Sequence, residues 1–252
     1  QGLEQVLGIL HGGEVRAVES LMEIIAVGHR VVHGGDTFFE STIIDERVLE
    51  AIKGWSELAP LHNPPNIAGI EASQSLLPGI PQVAVFDTAF HQTMPERAYI
   101  YPIPYEFYKE HRIRRYGFHG TSHRYVAREA AKKIGRPLEA LKVVTCHLGN
   151  GCSVTAVRNG KSVDTSMGFT PLEGLVMGTR SGDIDPSIIF YMIDKEKLTA
   201  KEIEDLLNRG SGLLGISGMS NDVRDIRREA DGGNARARLA LEIFAYRAKK
   251  YV

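Results

Sequence analysis

The sequence has no long hydrophobic run and almost no net charge. These two absences argue against a membrane-spanning protein and against a nucleic-acid-binding protein. Among its 252 residues, no apolar stretch reaches the roughly 18 residues of a membrane helix. The start also has no signal-peptide pattern. A net charge of -1 and a pI near 6.8 give the chain no attraction to nucleic acid or to an anionic membrane. With no basic patch beside a base-reading helix, we expect neither a DNA partner nor a membrane partner.

Cysteine is scarce, with two residues in the chain. Cys146 and Cys152 flank a glycine-rich turn on predicted paired strands. Two free thiols, as in a cytosolic enzyme, are the preferred interpretation, and a disulfide is the alternative. The chain has no repeat of fixed period and no low-complexity segment. A hydrophobic content of 43% and a charged content of 24% are typical of a globular protein. This length accommodates one large or two modest domains.

Both ends of the chain lack the signals that begin or end a helix. There is no initiator methionine, and apolar residues at helical spacing open the chain. Residues 235–252 form a second helical pattern that no glycine or proline ends. We therefore expect both ends to be cuts in a longer protein. The apolar positions concerned are Leu3, Val6, Leu7 and Leu10 at the start, and Leu239, Ile243, Phe244 and Ala248 at the end.

The first third of the chain has the pattern of an α/β layer. Residues 22–32 and 80–86 are apolar enough to be buried strands, and residues 45–58 place apolar side chains on one helical stripe. A second helix is predicted to run to Leu77, with Asn66 as its cap after a rigid proline turn. Strands that alternate with helices in this way favour an α/β fold.

The remainder of the chain has a different pattern. Residues 99–108 are aromatic and proline-rich, which suggests a crossing between two lobes, and a helix is predicted from His123 to Lys133. Three short β-segments follow, at 142–148, 153–158 and 161–165. Two-residue hairpin signals, Asn150-Gly151 and Asn159-Gly160, join them into an antiparallel meander. Beyond the meander the chain is mostly helical, with starts predicted at Asp185-Pro186 and at the capping box of Thr199.

Arg30 lies inside a strand-like run that ends in two glycines. The segment reads Gly28-His29-Arg30-Val31-Val32-His33-Gly34-Gly35. An arginine there is costly to bury unless an anion meets it, and its planar fork of donors suits a carboxylate or a phosphate. Asp87 directly follows the next buried strand, where α/β enzymes often place functional carboxylates. The alternative is a structural carboxylate that caps a loop.

Two further stretches carry candidate groups for anion chemistry. Arg180 lies between glycines and small hydroxyl residues, although a structural salt bridge is the alternative for both arginines. His119 and His123 are four residues apart, which could suggest zinc, but no carboxylate or cysteine nearby would complete a site. His119 is a candidate for anion chemistry, and we expect His123 to face the helix that follows. The stretches read Gly117-Phe118-His119-Gly120-Thr121-Ser122-His123 and, from Gly174 to Pro186, GLVMGTRSGDIDP.

Together these three blocks resemble signatures of the acetokinase family, whose members pass a phosphoryl group between ATP and acetate. The resemblance runs from about residue 20 to the end. It implies an α/β, two-lobed fold of the actin and sugar-kinase type (ribonuclease H-like), here incomplete. Residues 1–90 would be part of an N-terminal lobe on the acetate side. Residues 91–252 would be part of a C-terminal lobe on the nucleotide side.

The resemblance also implies roles for individual residues. The catalytic group would be Arg30, Asp87, His119 and Arg180, with His119 donating a hydrogen bond to the transferring phosphoryl group. Acetate would bind to Arg30 and to an apolar pocket. A second phosphate loop and a short stretch would border the nucleotide. The pocket positions are Val32, Leu61, Phe118 and Pro171, and the nucleotide positions are His147, Leu148, Gly149, Asn150, Gly151, Asp222, Val223 and Arg224.

The implied reaction is reversible, direct in-line transfer of the γ-phosphoryl group of ATP to acetate, which gives acetyl phosphate and ADP. The resemblance further implies Mg²⁺ as cofactor and a cytoplasmic homodimer. The metal ligands, the first phosphate loop and the adenosine loop are expected outside this chain, so we expect the chain alone to be inactive. The alternatives are a propionate or butyrate kinase, a pyrophosphate-using acetokinase, and a non-catalytic carboxylate or phosphate-binding module.

Overall fold

The computed structural model describes residues 2–12, 16–59 and 62–252. The chain divides into two compact units, Gln1–Gln92 and Thr93–Val252. The assignment of one unit to acetate and the other to the nucleotide stays a prediction.

The first unit is a three-stranded sheet with helices packed on it. Strand β1 pairs in parallel with β3, with Arg30 opposite Val85, and β2 pairs antiparallel with the other edge of β3. The described elements are α1 (Gly2–Gly12), a 3₁₀ turn (Leu21–Glu23), β1 (Val27–Val31), β2 (Thr42–Ile43), α2 (Glu46–Gly54), a 3₁₀ turn (Trp55–Glu57), α3 (Asn63–Leu76) and β3 (Gln82–Phe86). The predicted α/β layer is confirmed.

Two predicted boundaries in this unit are wrong. The first strand begins at Val27 rather than residue 22, because Ser20 and Glu23 form a capping box on a 3₁₀ turn. Helix α3 begins at Asn63 rather than after Asn66. Its first turn accepts Pro64 and Pro65, since backbone N–H groups there have no helical partner.

The core of the first unit lies between the sheet and its helices. Alternate residues of β3 are buried, as expected for a strand with one covered face. Asp45 caps the N-terminus of helix α2, and its carboxylate accepts from the Val48 N–H at 2.8 Å. The buried apolar cluster consists of Val31, Ile44, Val48, Ile52, Ile70, Ala84 and Phe86.

The second unit opens with short helices and continues into a meander. Pro104 directly precedes a helix that begins at Tyr105, so part of the aromatic stretch 99–108 is helical, and its role as a crossing between two lobes stays a prediction. The elements up to the meander are a 3₁₀ turn (Ala89–Thr93) at the border of the units, α4 (Glu96–Tyr99), α5 (Tyr105–His111), α6 (Gly120–Lys133), a 3₁₀ turn (Leu138–Ala140), β4 (Lys142–Leu148), β5 (Cys152–Arg158) and β6 (Lys161–Thr165).

The predicted antiparallel meander is confirmed in the order β4-β5-β6. Asn159 and Gly160 form a two-residue turn, both with positive φ angles of 52° and 77°. The first turn differs from the prediction. Leu148 pairs with Cys152, which leaves three residues, Gly149 to Gly151, in the loop. Both cysteines are free, with Cys146 exposed and Cys152 buried, as preferred from the sequence.

Five helices complete the second unit. Helices α9, α10 and α11 pack around a buried cluster formed by Leu213, Ile226, Ala230, Ala237 and Ala240. The predicted capping box of Thr199 and Glu202 is present at the start of α8. The helices are α7 (Ser187–Lys195), α8 (Ala200–Arg209), α9 (Gly212–Ser217), α10 (Val223–Asp231) and α11 (Ala235–Tyr251). Across the described ranges, every helix is too short or too polar to traverse a lipid bilayer.

Candidate active site

Arg30 and Asp87 form a bidentate ion pair in the first unit. Arg30 Nη2 lies 2.6 Å from Asp87 Oδ2, and Nε lies 3.0 Å from Oδ1. This pairing raises the pKa of Arg30 through the hydrogen bond to Asp87, against the opposing effect of burial. Both groups are charged, so this contact is stronger than a hydrogen bond between neutral groups.

The backbone of the sheet positions this pair. Asp87 directly follows β3, and its N–H donates to the Val31 carbonyl at 2.9 Å, which extends the pairing of β1 with β3. The Asp87 side chain is only 2% exposed, whereas that of Arg30 is 62% exposed. The buried Asp87 carboxylate therefore fixes the Nε–Nη2 edge of the guanidinium. The Nη1–Nη2 edge has the geometry to receive a second anion.

Side chains of α3 hold the loop that follows Arg30. Asn63 is buried and bonds to both backbone groups of His33, at 3.2 Å to N and 3.1 Å to O. Asn66, predicted as a helix cap, instead accepts from the Val32 N–H at 3.1 Å. Beyond the end of β1, the side-chain amides of Asn63 and Asn66 therefore provide hydrogen-bond partners for backbone groups of Val32 and His33 that have no strand partner.

The glycine pair in this loop is required by close packing. A Cβ on Gly34 would lie 2.6 Å from the Phe86 ring, and one on Gly35 would lie 2.0 Å from the Trp55 ring. Gly35 also has a φ of +60°, which side chains rarely allow. These glycines let the chain turn directly against two aromatic rings.

The two imidazoles beside Arg30 have structural roles in this unit. His29 Nε2 lies 2.7 Å from Gln82 Oε1. His33 is fully buried and stacks on Trp55, with ring centroids 5.8 Å apart. Its Nδ1 accepts from the Gly35 N–H at 3.0 Å. Burial lowers the pKa of His33 to about 4, so its ring is neutral near pH 7.

His119 begins α6 in the second unit and has an unusual backbone. Its φ of 57° and ψ of 21° are left-handed, which is uncommon for a residue other than glycine. Its Nδ1 lies 2.8 Å from Ser153 Oγ. Its ring also stacks on His147, with centroids 4.0 Å apart. These contacts fix the ring plane at the helix start.

His123 does not face the following helix, so that prediction is wrong. Its ring is 1% exposed and points to the sheet, where Nε2 lies 2.7 Å from Ser153 Oγ and Nδ1 lies 2.8 Å from Thr145 Oγ1. The i, i+4 spacing brings both histidines to one serine hydroxyl. Within the described ranges, no group of three His, Cys, Asp or Glu side chains could hold a metal ion.

Arg180 meets His119 across Gly151. A Cβ on Gly151 would lie 3.3 Å from Arg180 Nη1 and 3.3 Å from His119 Nε2, so only a glycine fits comfortably between them. Arg180 Nη1 also donates weakly to the Pro171 carbonyl at 3.4 Å. Among the residues that the structure describes, no carboxylate pairs with Arg180. Burial lowers the pKa of its guanidinium, and it raises the pKa of nearby Cys152 to about 11.

The loop of Gly149, Asn150 and Gly151 is tied to the arginine segment. The Gly178 N–H donates to the Asn150 carbonyl at 2.9 Å, and a Cβ on Gly178 would collide with the Asn150 side chain. Asn221 donates from Nδ2 to Asn150 Oδ1 at 2.8 Å. The contact places the stretch that follows Asn221 beside this loop, as a shared nucleotide site would require.

The other predicted nucleotide contacts have local roles as well. Asp222 caps α10 by accepting from the Arg224 N–H at 2.8 Å, and it also pairs with the Arg224 guanidinium. These bonds to Arg224 lower the pKa of Asp222 to about 2. His147 Nδ1 lies 2.8 Å from Ser122 Oγ. Leu148 ends β4 and Val223 begins α10, and both side chains are exposed.

The positions predicted to form the acetate pocket belong partly to the first unit and partly to the second. Phe118 is buried directly before His119, and Pro171 contacts Arg180 through its carbonyl. Val32 belongs to the loop held by Asn66. Leu61 lies outside the described residues. The predicted convergence of these positions, and of Arg30 and Asp87 with His119 and Arg180, stays a prediction.

Sequence reasoning missed the polar side chains that support these groups. Ser153 joins two histidines, and Asn63 and Thr145 are equally buried. The residue type of a serine or threonine does not by itself indicate that its hydroxyl will support a histidine. The one available signal was the alternation of β5, which places Ser153 and Thr155 on the same face.

Comparison with known proteins identifies the chain. The sequence profile of the acetokinase family matches residues 1–252. The chain belongs to the acetokinase family. An acetokinase from Caldanaerobacter subterraneus subsp. tengcongensis, described as acetate kinase, is 62% identical over 253 residues. That alignment covers 100% of this chain and 63% of the relative. The chain therefore spans less than two thirds of the curated relatives that it matches.

Solved acetokinase structures have the same fold. Acetate kinase of Porphyromonas gingivalis matches with a TM-score of 0.94 and 48% identity, over 99% of this chain and 63% of that one. A propionate kinase from Francisella tularensis matches with a TM-score of 0.93 and 52% identity, with the same coverage. The predicted family and the predicted α/β acetokinase fold are confirmed. The roles of individual site residues stay predictions.

Proposed function

We propose that the protein to which this chain belongs transfers the γ-phosphoryl group of ATP to acetate, reversibly and in line. A bond forms between an acetate oxygen and the γ-phosphorus, while the bond from that phosphorus to the β–γ bridging oxygen breaks. The products are acetyl phosphate and ADP. Acetate is ionised at neutral pH and needs no general base.

Arg180 carries this proposal. A partly buried guanidinium with no carboxylate partner among the described residues is costly unless an anion neutralises it. His119 Nε2 and the Gly151 backbone adjoin the same space. A phosphoryl group in transfer spreads charge over three oxygens, and catalysis consists mainly of positioning and electrostatic stabilisation. Arginine, imidazole and glycine backbone are groups suited to that task.

The remaining residues have proposed roles in binding. Arg30, with one edge fixed by Asp87, would hold the acetate carboxylate or the transferred group. Val32, Leu61, Phe118 and Pro171 would surround the methyl group. His147, the loop of residues 149–151 and the stretch of residues 222–224 would border the nucleotide. Asp87 would position Arg30 rather than accept a proton.

Mg²⁺ is the proposed cofactor, and we expect its protein ligands to lie outside this chain. Mg²⁺ commonly uses one or two carboxylates together with water and substrate phosphates. The described residues contain no group of three candidate ligands, and we assign no step to the metal. A cytoplasmic homodimer is also proposed, and sedimentation of the full-length protein would measure its mass.

Hydroxylamine trapping tests the reaction. Full-length protein incubated with ATP, Mg²⁺ and acetate should form acetyl hydroxamate, because hydroxylamine captures acetyl phosphate. A folded protein that binds acetate or ATP but forms no hydroxamate would instead be a carboxylate or phosphate-binding module. Substituting pyrophosphate for ATP in the same assay tests the other donor.

Propionate is the second candidate acceptor, since a propionate kinase structure matches this chain with a TM-score of 0.93. One methylene in an apolar pocket is worth only about 1–3 kcal/mol. We expect kcat/KM to favour acetate over propionate, by on the order of tenfold or more. A larger kcat/KM for propionate or butyrate would reassign the substrate.

A further inference from the structure

A chain of buried side chains leads from His119 into the sheet. His119 Nδ1 lies 2.8 Å from Ser153 Oγ, which lies 2.7 Å from His123 Nε2. His123 Nδ1 lies 2.8 Å from Thr145 Oγ1. Ser153 is fully buried, and His123 and Thr145 are at most 3% exposed. Bulk water therefore does not compete for these bonds.

A single hydroxyl proton couples the two rings. Among the described residues, Ser153 Oγ has hydrogen bonds to the two imidazoles and to no other group, so its single proton goes to one imidazole and the other imidazole donates to it. If Ser153 donates to His119 Nδ1, then neutral His119 has its proton on Nε2, and His123 also has its proton on Nε2. If Ser153 donates to His123, both rings have the proton on Nδ1. A mixed arrangement would leave Ser153 between two acceptors or two donors.

Thr145 decides between these two arrangements. Its hydroxyl lies 2.8 Å from His123 Nδ1 but 3.4 Å from the Thr155 carbonyl. O–H hydrogen bonds to good acceptors are usually shorter than about 3.0 Å, so Thr145 donates to His123 rather than to the carbonyl. His123 then donates to Ser153, and Ser153 donates to His119. The proton of neutral His119 is thereby placed on Nε2, the nitrogen beside Arg180 and Gly151.

We propose that Ser153 and His123 are positioning residues, which hold neutral His119 as the Nε2–H tautomer that donates toward the transferring phosphoryl group. The kinetic part of this inference rests on the proposed function. The tautomer itself does not. The unused nitrogen of a functional histidine commonly sets its tautomer and orientation through its own hydrogen bond.

Nitrogen-15 NMR of the full-length protein, labelled in its histidines, tests the two tautomers without any assay of activity. We expect the ring signals of His119 and His123, assigned with single variants, both to show protonated Nε2 and unprotonated Nδ1 near pH 7.5. A proton on Nδ1 of either ring would overturn the inference. If this pattern is seen but no acetyl phosphate forms, the proposed function is wrong and the tautomer assignment is still correct.

Kinetics test the positioning role. Ser153→Ala should lower kcat on the order of tenfold, as is common when a supporting hydrogen bond is lost, and should leave both KM values within about twofold. Thr165→Val is the matched control, since it removes a buried hydroxyl that lies 2.8 Å from Thr155 Oγ1 in the same sheet. That control should keep kcat. An unchanged kcat in folded Ser153→Ala would overturn the proposal.

A conservative replacement separates positioning from mere packing. The amide nitrogen of His123→Gln can still donate to Ser153, whereas His123→Leu cannot. We expect the glutamine variant to stay within about threefold of the wild-type kcat, and the leucine variant to lose on the order of tenfold or more. Equal losses in both variants would indicate that His123 only fills space. Should neither variant fold, Ser153→Ala and the NMR result decide.

Discussion

Arg30 and Arg180 differ in their counter-ions. Asp87 neutralises Arg30 through a bidentate contact, whereas no described carboxylate pairs with Arg180. An ion pair formed within the protein fixes a side chain in place. A guanidinium without an ion pair in the protein is available to an incoming anion. It stabilises most strongly the state of the reaction in which the bound group has the most negative charge.

Arg180→Ala should lower kcat by about 10³-fold or more, because an arginine on a transferring phosphoryl group is commonly worth about 10³–10⁵. Steady-state kinetics of the full-length protein would measure this. Arg209→Ala is the control, since Arg209 is exposed and pairs with Asp205 at 3.6 Å. A loss below about tenfold in folded Arg180→Ala would make Arg180 a structural residue.

His119→Ala should lower kcat by on the order of 10²–10³, the usual cost of one hydrogen-bond donor to a transition state. KM for both substrates should change little. His29→Ala, which removes an imidazole that bonds to Gln82, should remain close to the wild type. A change confined to KM would show that His119 binds the ground state instead.

At the scale of elements, the segment from Arg30 to Gly35 owes its shape to its neighbours. Asn63 and Asn66 of helix α3 bond to the backbone of this segment. The Trp55 and Phe86 rings leave no room for a side chain larger than that of glycine at its end. The end of β1 is therefore a fixed turn rather than a free loop. A rigid support of this kind keeps Arg30 in register with Asp87.

Gly35→Ala should destabilise the protein by about 2–4 kcal/mol, from overpacking against Trp55 together with left-handed backbone strain. Urea unfolding would measure the change. Gly28→Ala is a matched control on the same segment, since a Cβ there meets nothing within 4 Å. If both variants unfold at the same urea concentration, the close contact with Trp55 is not a constraint.

At the scale of the whole molecule, the chain contains two compact units, each with a core of its own. Stability against acid should depend on the first unit through His33. Its folded pKa of about 4 lies below the ordinary value of 6.5. The unfolded chain therefore binds more protons between these values. The contribution of neutral His33 to the free energy of unfolding is fully present above about pH 6.5, and it is lost as the pH drops toward 4.

His33→Asn should reduce this acid sensitivity, because asparagine can still accept from the Gly35 N–H but does not titrate. Between about pH 7 and pH 5, we expect the wild type to lose roughly 2 kcal/mol more unfolding free energy than the variant. Urea titrations at both pH values would measure the difference. Equal losses would show that His33 is accessible to protons in the folded state.

Local signals predicted the meander well but not its first turn. Asn159 and Gly160 need positive φ angles, and only a tight turn uses two such residues in succession. The loop at Gly149 has glycines on both sides of Asn150, so its length depends on which residue pairs with Cys152. That choice is made by strand register, which the local sequence does not contain.

The supporting contacts of the site were beyond prediction for a similar reason. Asn63 and Asn66 both have the side chain of a helix cap, and their partners in the loop after Arg30 lie 30 and 34 residues away in sequence. Ser153 is one serine among many until α6 places two imidazoles against it. Family resemblance named the candidate groups, but long-range packing determines what holds them.

Trp55 is the only tryptophan in this chain, and it lies against His33 and Gly35. Its fluorescence is therefore an intrinsic optical reporter beside the loop that follows Arg30. Excitation at the indole band would follow the first unit during unfolding or ligand titration, while residues 93–252 contribute no indole signal. One native chromophore thus allows events in the first unit to be timed without a label.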